Sequence, residues 1–468
     1  MTNKIMTIAK GGVIVCAIAC TTSCGLYKKY ERPQVNIPEN VMRDAQQYAN
    51  TTDTLSFGDV AWREVFTDPQ LQSLIQQGLE QNDDIYKAAA NVEQVEAALK
   101  CARLAFLPSV AFAPSGSLSK YVTGDLRHGD WTKIYALPVS ASWTVDIFGN
   151  LLAQKRGAQV NLEMMKDYEH VTRSKVICGI ANLYYTLLML DRQMEILTDM
   201  EKLTSETYEM MKLQKELRGA RETSVVSAQA ANLSVKAQMV DMKRQIHEME
   251  NSLSLLIGIP AQGISRSTLA QQNLPEKFST GIAIDVLRAR PDVHAAEMNL
   301  AKCFYDVSSA RAQMYPTLTL SATGSFNNGT SGTINPGQLL ANFAAGLTQP
   351  IFANGRLTAQ LKVAKLDYEI AVREWEHSIL SAGSEVSNYL VEYNSAQEQG
   401  DLDRQQVEAL KKSVEYTRDL FKMGSSSYLE VISAQSSLLN AEISEVTQNF
   451  NKMQAVVNLY SALGGGKK

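Results

Sequence analysis

The chain has 468 residues, enough for two or three ordinary domains. Its 45% hydrophobic and 20% charged residues are those of an ordered, core-forming protein and exclude a disordered tail. A formal net charge of −4 without a long Lys/Arg run speaks against a nucleic-acid partner, and five scattered histidines (His128, His170, His247, His294, His377) offer no pair at metal-ligand spacing.

Lys4 and Lys10 precede the apolar run GGVIVCAIAC, which is followed by TTSCG. A basic start and roughly ten apolar residues make a secretory signal over 1–23, too short to span a membrane as a helix. The small residues before Cys24, and Gly25 and KKYERP after it, point to cleavage there and acylation of its sulfur, although Thr21 is an unusual residue three places upstream. Cys20, after Ala17-Ile18-Ala19, is the rival site, and an ordinary signal cleaved elsewhere is the plainer alternative. Beyond them, Cys101, Cys178 and Cys303 are odd in number and widely spaced, which suits packing thiols rather than a disulfide framework.

All 12 prolines fall within 33–138, 260–291 and 316–350, so Val139–Ile259 and Ile351 to the C-terminus contain none. Proline costs about 3 kcal/mol inside a helix, so the proline-free blocks are where uninterrupted helix is possible. Both are rich in Ala, Leu, Gln, Glu, Lys and Met. Within the second, Val407, Leu410, Val414, Tyr416 and Leu420 follow a roughly helical spacing. Helices are expected over about 150–218, 222–257, 355–423 and 427–463. At 1.5 Å per residue the longest approach roughly 100 Å, the length of a spacer, coiled coil or tube wall.

Each long helix follows segments of a different period. Val139, Ala141, Trp143, Val145 and Ile147 alternate with Ser140, Ser142, Thr144 and Asp146. Leu318, Leu320, Ala322 and Phe326 alternate with Thr317, Thr319, Ser321, Thr323 and Ser325, and SVAFAPSGSL (109–118) and NFAAGLT (342–348) alternate more weakly. Strands are expected over about 108–120, 134–148, 316–327 and 339–352, with lipid on one face and water on the other. A half-buried strand in a soluble sandwich is the bland alternative. Four strands cannot close a barrel, which needs about eight, and open edges in lipid are forbidden, so a membrane-embedded chain must oligomerise. Two copies supply eight strands and three supply twelve.

The two halves echo one another. CARLAFLPSV (101–110) answers ARAQMYPTLTL (310–320), VDIFGN (145–150) answers QPIFANG (349–355), and LLIGIP (255–260) answers YSALGG (460–465), at offsets of about 205 residues. ELRGARETSVVSAQ (216–229) and FKMGSSSYLEVISAQ (421–435) each break a helix block at one glycine and end in the same tripeptide. The chain therefore reads as a tandem duplication: a first repeat over 24–260, a linker over 261–292 and a second repeat over 293–468.

Residues 62–110 (WREVFTDPQLQ through FLPSV), IDVLRARPDVHAAEMNLA (284–301) and the ending ALGGG (462–466) resemble the TolC-like outer-membrane efflux proteins, in the lipoprotein branch serving RND pumps. The resemblance covers nearly all of the mature chain. It implies a mainly α homotrimer whose four strands per chain make a 12-strand outer-membrane β-barrel continuous with a long periplasmic α-helical barrel. It also implies an equatorial belt from segments around 39–75, 260–290 and the C-terminus. The implied function is a passive exit duct for small molecules, working with a periplasmic adaptor and an inner-membrane RND pump. A structural envelope-spanning coiled-coil lipoprotein, or a duct for secreted protein or peptide, is the alternative.

On this resemblance Gly219 and Gly424 mark the periplasmic tips, where one helix reverses into the next. Gly424 suits a left-handed helix end, and Ser427-Tyr428-Leu429-Glu430 is a capping box. The family's tip carries a tyrosine three before the glycine and acids six and nine after it; here those places hold Phe421, Glu430 and Ser433. Val225 stands where the first tip often has an acid, and Arg218 and Arg221 are candidates for bridging neighbouring tips. Glu430 reads equally as a cap and as a pore-lining gate residue. The 17 methionines are scattered along the helices as packing residues are, and no nucleophile–base pair, metal site or cofactor motif stands out, so no enzymatic activity is expected.

Overall fold

The structure, a computed structural model, describes residues 27–34, 57–119, 131–217, 219, 221–273, 275, 287–288, 290–327 and 339–466. In chain order the elements are α1 (Trp62–Val65), α2 (Pro69–Gln81), α3 (Asp83–Leu104), β1 (Ser109–Phe112), β2 (Ser115–Ser119), β3 (Thr132–Val145), α4 (Asn150–Glu216), α5 (Glu222–Ile257), α6 (Pro291–Ala312), β4 (Thr317–Asn327), β5 (Leu339–Thr348), α7 (Arg356–Lys422) and α8 (Tyr428–Ala462). A helix, then strands, then a long and a shorter helix: that order occurs twice. The chain is mainly helical, and none of the helices among the described residues is long and apolar enough to cross a membrane.

Contacts divide the chain into two compact units, each drawn from both halves of the sequence. The first comprises Met1–Val35, Asn91–Met165 and Ala295–Trp375. Its sheet is antiparallel, in the order β1-β3-β4-β5, with β2 also on β3. The strand expected over 108–120 is interrupted. Phe112 pairs with Val139 and Ser115 with Ala136, so the register runs on unbroken while the ladder lapses between them. Ala113, which faces Pro138 in this register, still donates its N–H to the Pro138 carbonyl at 3.3 Å, but Pro138 has no N–H to return, so one bond of that pair is missing.

Register sorts the side chains into two faces. Leu137, Val139, Ala141, Trp143 and Val145 stand opposite Phe326, Gly324, Ala322, Leu320 and Leu318, which stand opposite Leu339, Ala341, Phe343, Ala345 and Leu347. The other face carries Ser140, Ser142 and Thr144 beside Ser325, Thr323, Ser321 and Thr319. The apolar face is exposed in the single chain: Phe343 is 85% accessible and Leu347 67%. Below the strands of this unit, Val92 and Leu99 of α3 pack on Leu162 of α4.

The second unit comprises Asn36–Ala90, Lys166–His294 and Glu376–Lys468. Its helices meet along seams of alternating three- and four-residue spacing, the 3.5-residue repeat of a left-handed coiled coil. On α4 the buried residues include one such row, Leu190, Gln193, Leu197, Met200, Thr204, Thr207 and Met211. Val225, Ala228, Asn232 and Val235 of α5 keep the same spacing, as do Tyr428, Val431, Gln435 and Leu438 of α8. On α7 the buried run includes Val407, Val414 and Phe421, a strict heptad. Tyr416 and Leu420, expected on that face from sequence, are instead 64% and 48% exposed. A period of 3.5 closes on Phe421 and turns both of those residues away.

The connection between the repeats is tied down chemically. Arg266 donates through Nε and one terminal nitrogen to Asp191 at 2.5 and 2.9 Å, and through the other to Glu250 at 2.5 Å. Asp68, the N-cap of α2, accepts from Tyr184 at 2.7 Å and Gln272 at 2.8 Å as well as from Ser267. Burial pushes the Asp68 carboxyl up, but these donors outweigh it and hold the group below its ordinary value. Arg290 bridges Asp292 and Glu385 at 2.7 and 2.8 Å.

Candidate helix-tip and sheet sites

The turn between α7 and α8 is built from two capping devices back to back. Gly424 has φ +76°, and nothing within 4 Å would meet a Cβ there, so backbone conformation alone demands glycine. The Gly424 N–H donates to the Phe421 carbonyl at 3.0 Å and that of Ser425 to Leu420 at 2.9 Å, the paired bonds of a Schellman motif. Ser427 then starts α8: its Oγ accepts from the Glu430 N–H at 3.4 Å, and Glu430 Oε2 accepts from the Ser427 N–H at 3.2 Å and from the Ser426 hydroxyl. Those donors, Ser426 first, hold the exposed Glu430 carboxyl below its ordinary value. Its carboxylate is engaged in the cap.

The turn between α4 and α5 lacks these features. Gly219 is not left-handed; its N–H reaches the Gln214 carbonyl, five residues back, at 2.8 Å, the place Ser425 takes in the other turn. Arg221 sits at the N-cap of α5, exposed and without a side-chain cap bond. The turn is closed by an ion pair from Lys215 to Glu222. Arg218, like Cys24, lies outside the described residues.

Beneath both turns Met211, Val225, Ala228, Phe421, Tyr428 and Val431 form one apolar cluster. Phe421 meets Tyr428 edge-on at 6.5 Å between ring centres. Phe421 is thus a core residue of the tip in the single chain, and Val225 is buried beside it, whereas Ser433 is exposed. Arg418 of α7 pairs with Glu206 of α4 at 2.5 Å.

Two buried amides escaped the sequence reading. Asn232 Nδ2 donates to Thr204 Oγ1 at 3.1 Å and to the Glu201 carbonyl at 3.3 Å. Gln435 Nε2 donates to Thr207 Oγ1 at 3.2 Å, and its Oε1 is buried without a partner. The signal was present: at one constant offset Val225 matches Tyr428, Ala228 Val431, Asn232 Gln435 and Val235 Leu438, all buried. The shared Ser-Ala-Gln obscured it, because Gln229 is exposed while Gln435 is buried. Polar residues within a seam fix its register.

On the sheet of the first unit, period-two strands carry one apolar and one hydroxyl-rich face, and among the described residues the edges along β1/β2 and along β5 are open.

The comparisons agree with this geometry. The outer membrane efflux protein family matches the chain twice, over residues 74–259 and 284–465. The cation efflux system protein CusC of Escherichia coli O157:H7 is 25% identical over 457 residues, covering 96% of this chain and 97% of that protein. The probable efflux pump outer membrane protein TtgC of Pseudomonas putida is 26% identical over 472 residues, covering 100% and 96%. Among solved structures, the open state of the Neisseria gonorrhoeae MtrE outer membrane channel superposes with a TM-score of 0.83 at 26% identity, covering 94% of this chain and 98% of that one. The chain belongs to the outer membrane efflux protein family.

Proposed function

We propose that three copies of this chain form a passive duct through the outer membrane, fed by a periplasmic adaptor and an inner-membrane RND pump. The observation that carries this reading is the two-faced sheet with open edges. Unpaired N–H and C=O groups have no partners in lipid, so neighbouring copies must complete the ladder. Four strand positions per chain, with β1 and β2 sharing one, give twelve strands in a trimer. The apolar face then meets lipid and the Ser/Thr face water. Cys24, or failing it Cys20, carries the lipid anchor.

The α4–α5 and α7–α8 turns are the periplasmic gate. Phe421 and Val225 pack the gate from within, Gly424, Ser427 and Glu430 shape its second turn, and Arg221, Arg218 and Gly219 belong to its first. Glu430, repeated by threefold symmetry, contributes a ring of carboxylates held by their caps, and Ser433 adds no charge to it. The duct performs no chemistry, and transport energy comes from the pump. CusC is named for cation efflux and TtgC for an efflux pump; the pump, not the duct, sets the cargo.

Purified protein in a planar bilayer tests this against a purely structural tether. The tip-loosened variant Glu430→Ala/Arg221→Ala is expected to conduct in steps of one unit size, more often open than the parent. A silent bilayer from that variant, with the protein inserted, favours the tether. Crosslinking from residues 424–430 in whole cells is expected to capture an adaptor.

A further inference from the structure

The apolar face of the sheet is unevenly filled. Ala141 and Ala322 face each other across β3 and β4, and Ala345 lies one row away on β5. Trp143, Leu320 and Phe343 stand around these small residues. Together with Pro108 and the intervening Ser142, Ser321 and Ala344 they line a groove of about 480 Å³. The Trp143 wall is fixed, since its indole N–H donates to the Phe106 carbonyl at 2.9 Å. Phe343 is 85% exposed, so that side stands open among the described residues.

The N-terminal segment is pinned at the foot of the same sheet. The Tyr27 hydroxyl donates to the Ile147 carbonyl, and Arg156 donates to the carbonyls of Tyr27 at 3.0 Å and Lys28 at 3.3 Å. The Tyr30 N–H donates to the Tyr305 hydroxyl at 3.2 Å, and Arg32 grips Glu297 at 2.6 and 2.8 Å. Cys24 stands three residues before Tyr27, and three residues of fully extended chain span at most about 11 Å. Trp143 stands four residues before Ile147, about 13 Å of extended chain. An acyl chain reaches across about one leaflet, roughly 15 Å of a ~30 Å hydrocarbon core.

We propose that an acyl chain borne by Cys24 lies in this groove of its own chain, over Ala141, Ala322 and Ala345 and between Trp143, Leu320 and Phe343. The proposal rests on the lipid-anchor reading of Cys24. An acyl chain seated there packs its methylenes on fixed side chains and fills a dent in a face that otherwise meets lipid.

Cells fed a diazirine-bearing palmitate give mature protein whose acyl chains crosslink on irradiation. The expected product joins the Cys24 peptide to peptides holding Trp143, Leu320 or Phe343. Ala322→Trp fills the groove and is expected to cut that product severalfold, and the milder Ala345→Leu, less demanding of the fold, to halve it. Crosslinks from Cys24 spread evenly over the strands, groove crosslinks that come only from phospholipid, or indifference to both substitutions overturn the groove site. An intact mass lacking an acyl group on Cys24 overturns the lipid anchor itself, and the groove with it. An acylated Cys24 whose crosslinks fall elsewhere overturns the groove alone.

Discussion

The turn joining α4 to α5 and the turn joining α7 to α8 connect helices of nearly equal length, 67 and 36 residues in the first pair and 67 and 35 in the second. Their buried layers correspond position by position, down to an amide, Asn232 or Gln435, at the same place in each seam. Their exposed chemistry does not correspond. One turn is held by a left-handed glycine and a capping box, the other by an ion pair between Lys215 and Glu222. A buried seam is constrained from both sides by its neighbours, so few substitutions fit. An exposed turn needs only some partner for its free N–H and C=O groups, and several solutions serve equally.

Removing the layer the two turns share has the largest expected effect. Phe421→Ala opens a cavity in a cluster drawn from all four helices and is expected to lower local stability by about 3 kcal/mol. Hydrogen-exchange protection falls on both turns if the cluster is common to them. Loss confined to the α7–α8 side breaks the correspondence. Ser433→Ala, at an exposed site, stays within about 0.5 kcal/mol.

The amides differ in one respect that can be measured. Asn232 is satisfied by Thr204 and Glu201, whereas the Oε1 of Gln435, a residue only 2% exposed, has no partner. An unsatisfied buried acceptor costs about 1–3 kcal/mol. Gln435→Leu leaves the Thr207 hydroxyl still donating to Leu203 at 2.7 Å, so no new orphan arises. Protection along the start of α8 is therefore expected to rise by about 1–2 kcal/mol. Asn232→Leu is expected to leave α5 unchanged or weaker by about 1 kcal/mol. Equal responses mean that the two amides are energetically alike, and the asymmetry is withdrawn.

The glycines separate next. Gly424→Ala forces an L residue into left-handed backbone and is expected to cost about 1–2 kcal/mol at the second turn. Gly219→Ala, where the backbone is not left-handed, is expected to stay below about 0.5 kcal/mol. Exchange at the turns reads both.

These contrasts locate what was legible in the sequence. Proline placement made the mainly helical fold readable, and alternation of Trp143 and Leu320 with Ser and Thr made the strands readable, because both signals are local. Ser427 with Glu430 announced its cap for the same reason. Tyr416 and Leu420 misled because hydrophobicity alone does not fix the phase of a helix; the 3.5-residue seam through Val407, Val414 and Phe421 does. The clamp of Arg266 on Asp191 and Glu250 joins residues far apart in the chain, and no local pattern marks it. Gly219 resembled Gly424 by position, yet a helix end is decided by backbone angles that a lone glycine permits without requiring.

Ionic conditions give the smallest and most selective contrast. The Lys215–Glu222 pair is 47% and 61% exposed, so it is worth at most about 0.5 kcal/mol and is screened at 1 M salt, where the Debye length is about 3 Å. Raised salt is therefore expected to loosen the first turn slightly and leave the second untouched. Acid reaches the second turn through its cap. The Glu430 carboxyl titrates below its unfolded value, so its cap contributes in full above that value, near pH ~4.3, and is lost only as pH falls through the lower folded value. Protection of the second turn should hold steady from neutral pH to about pH 5 and decline below about pH 4. A second turn that loosens with salt at neutral pH would mean that a charge contact, and not the capping box, holds α8 in place.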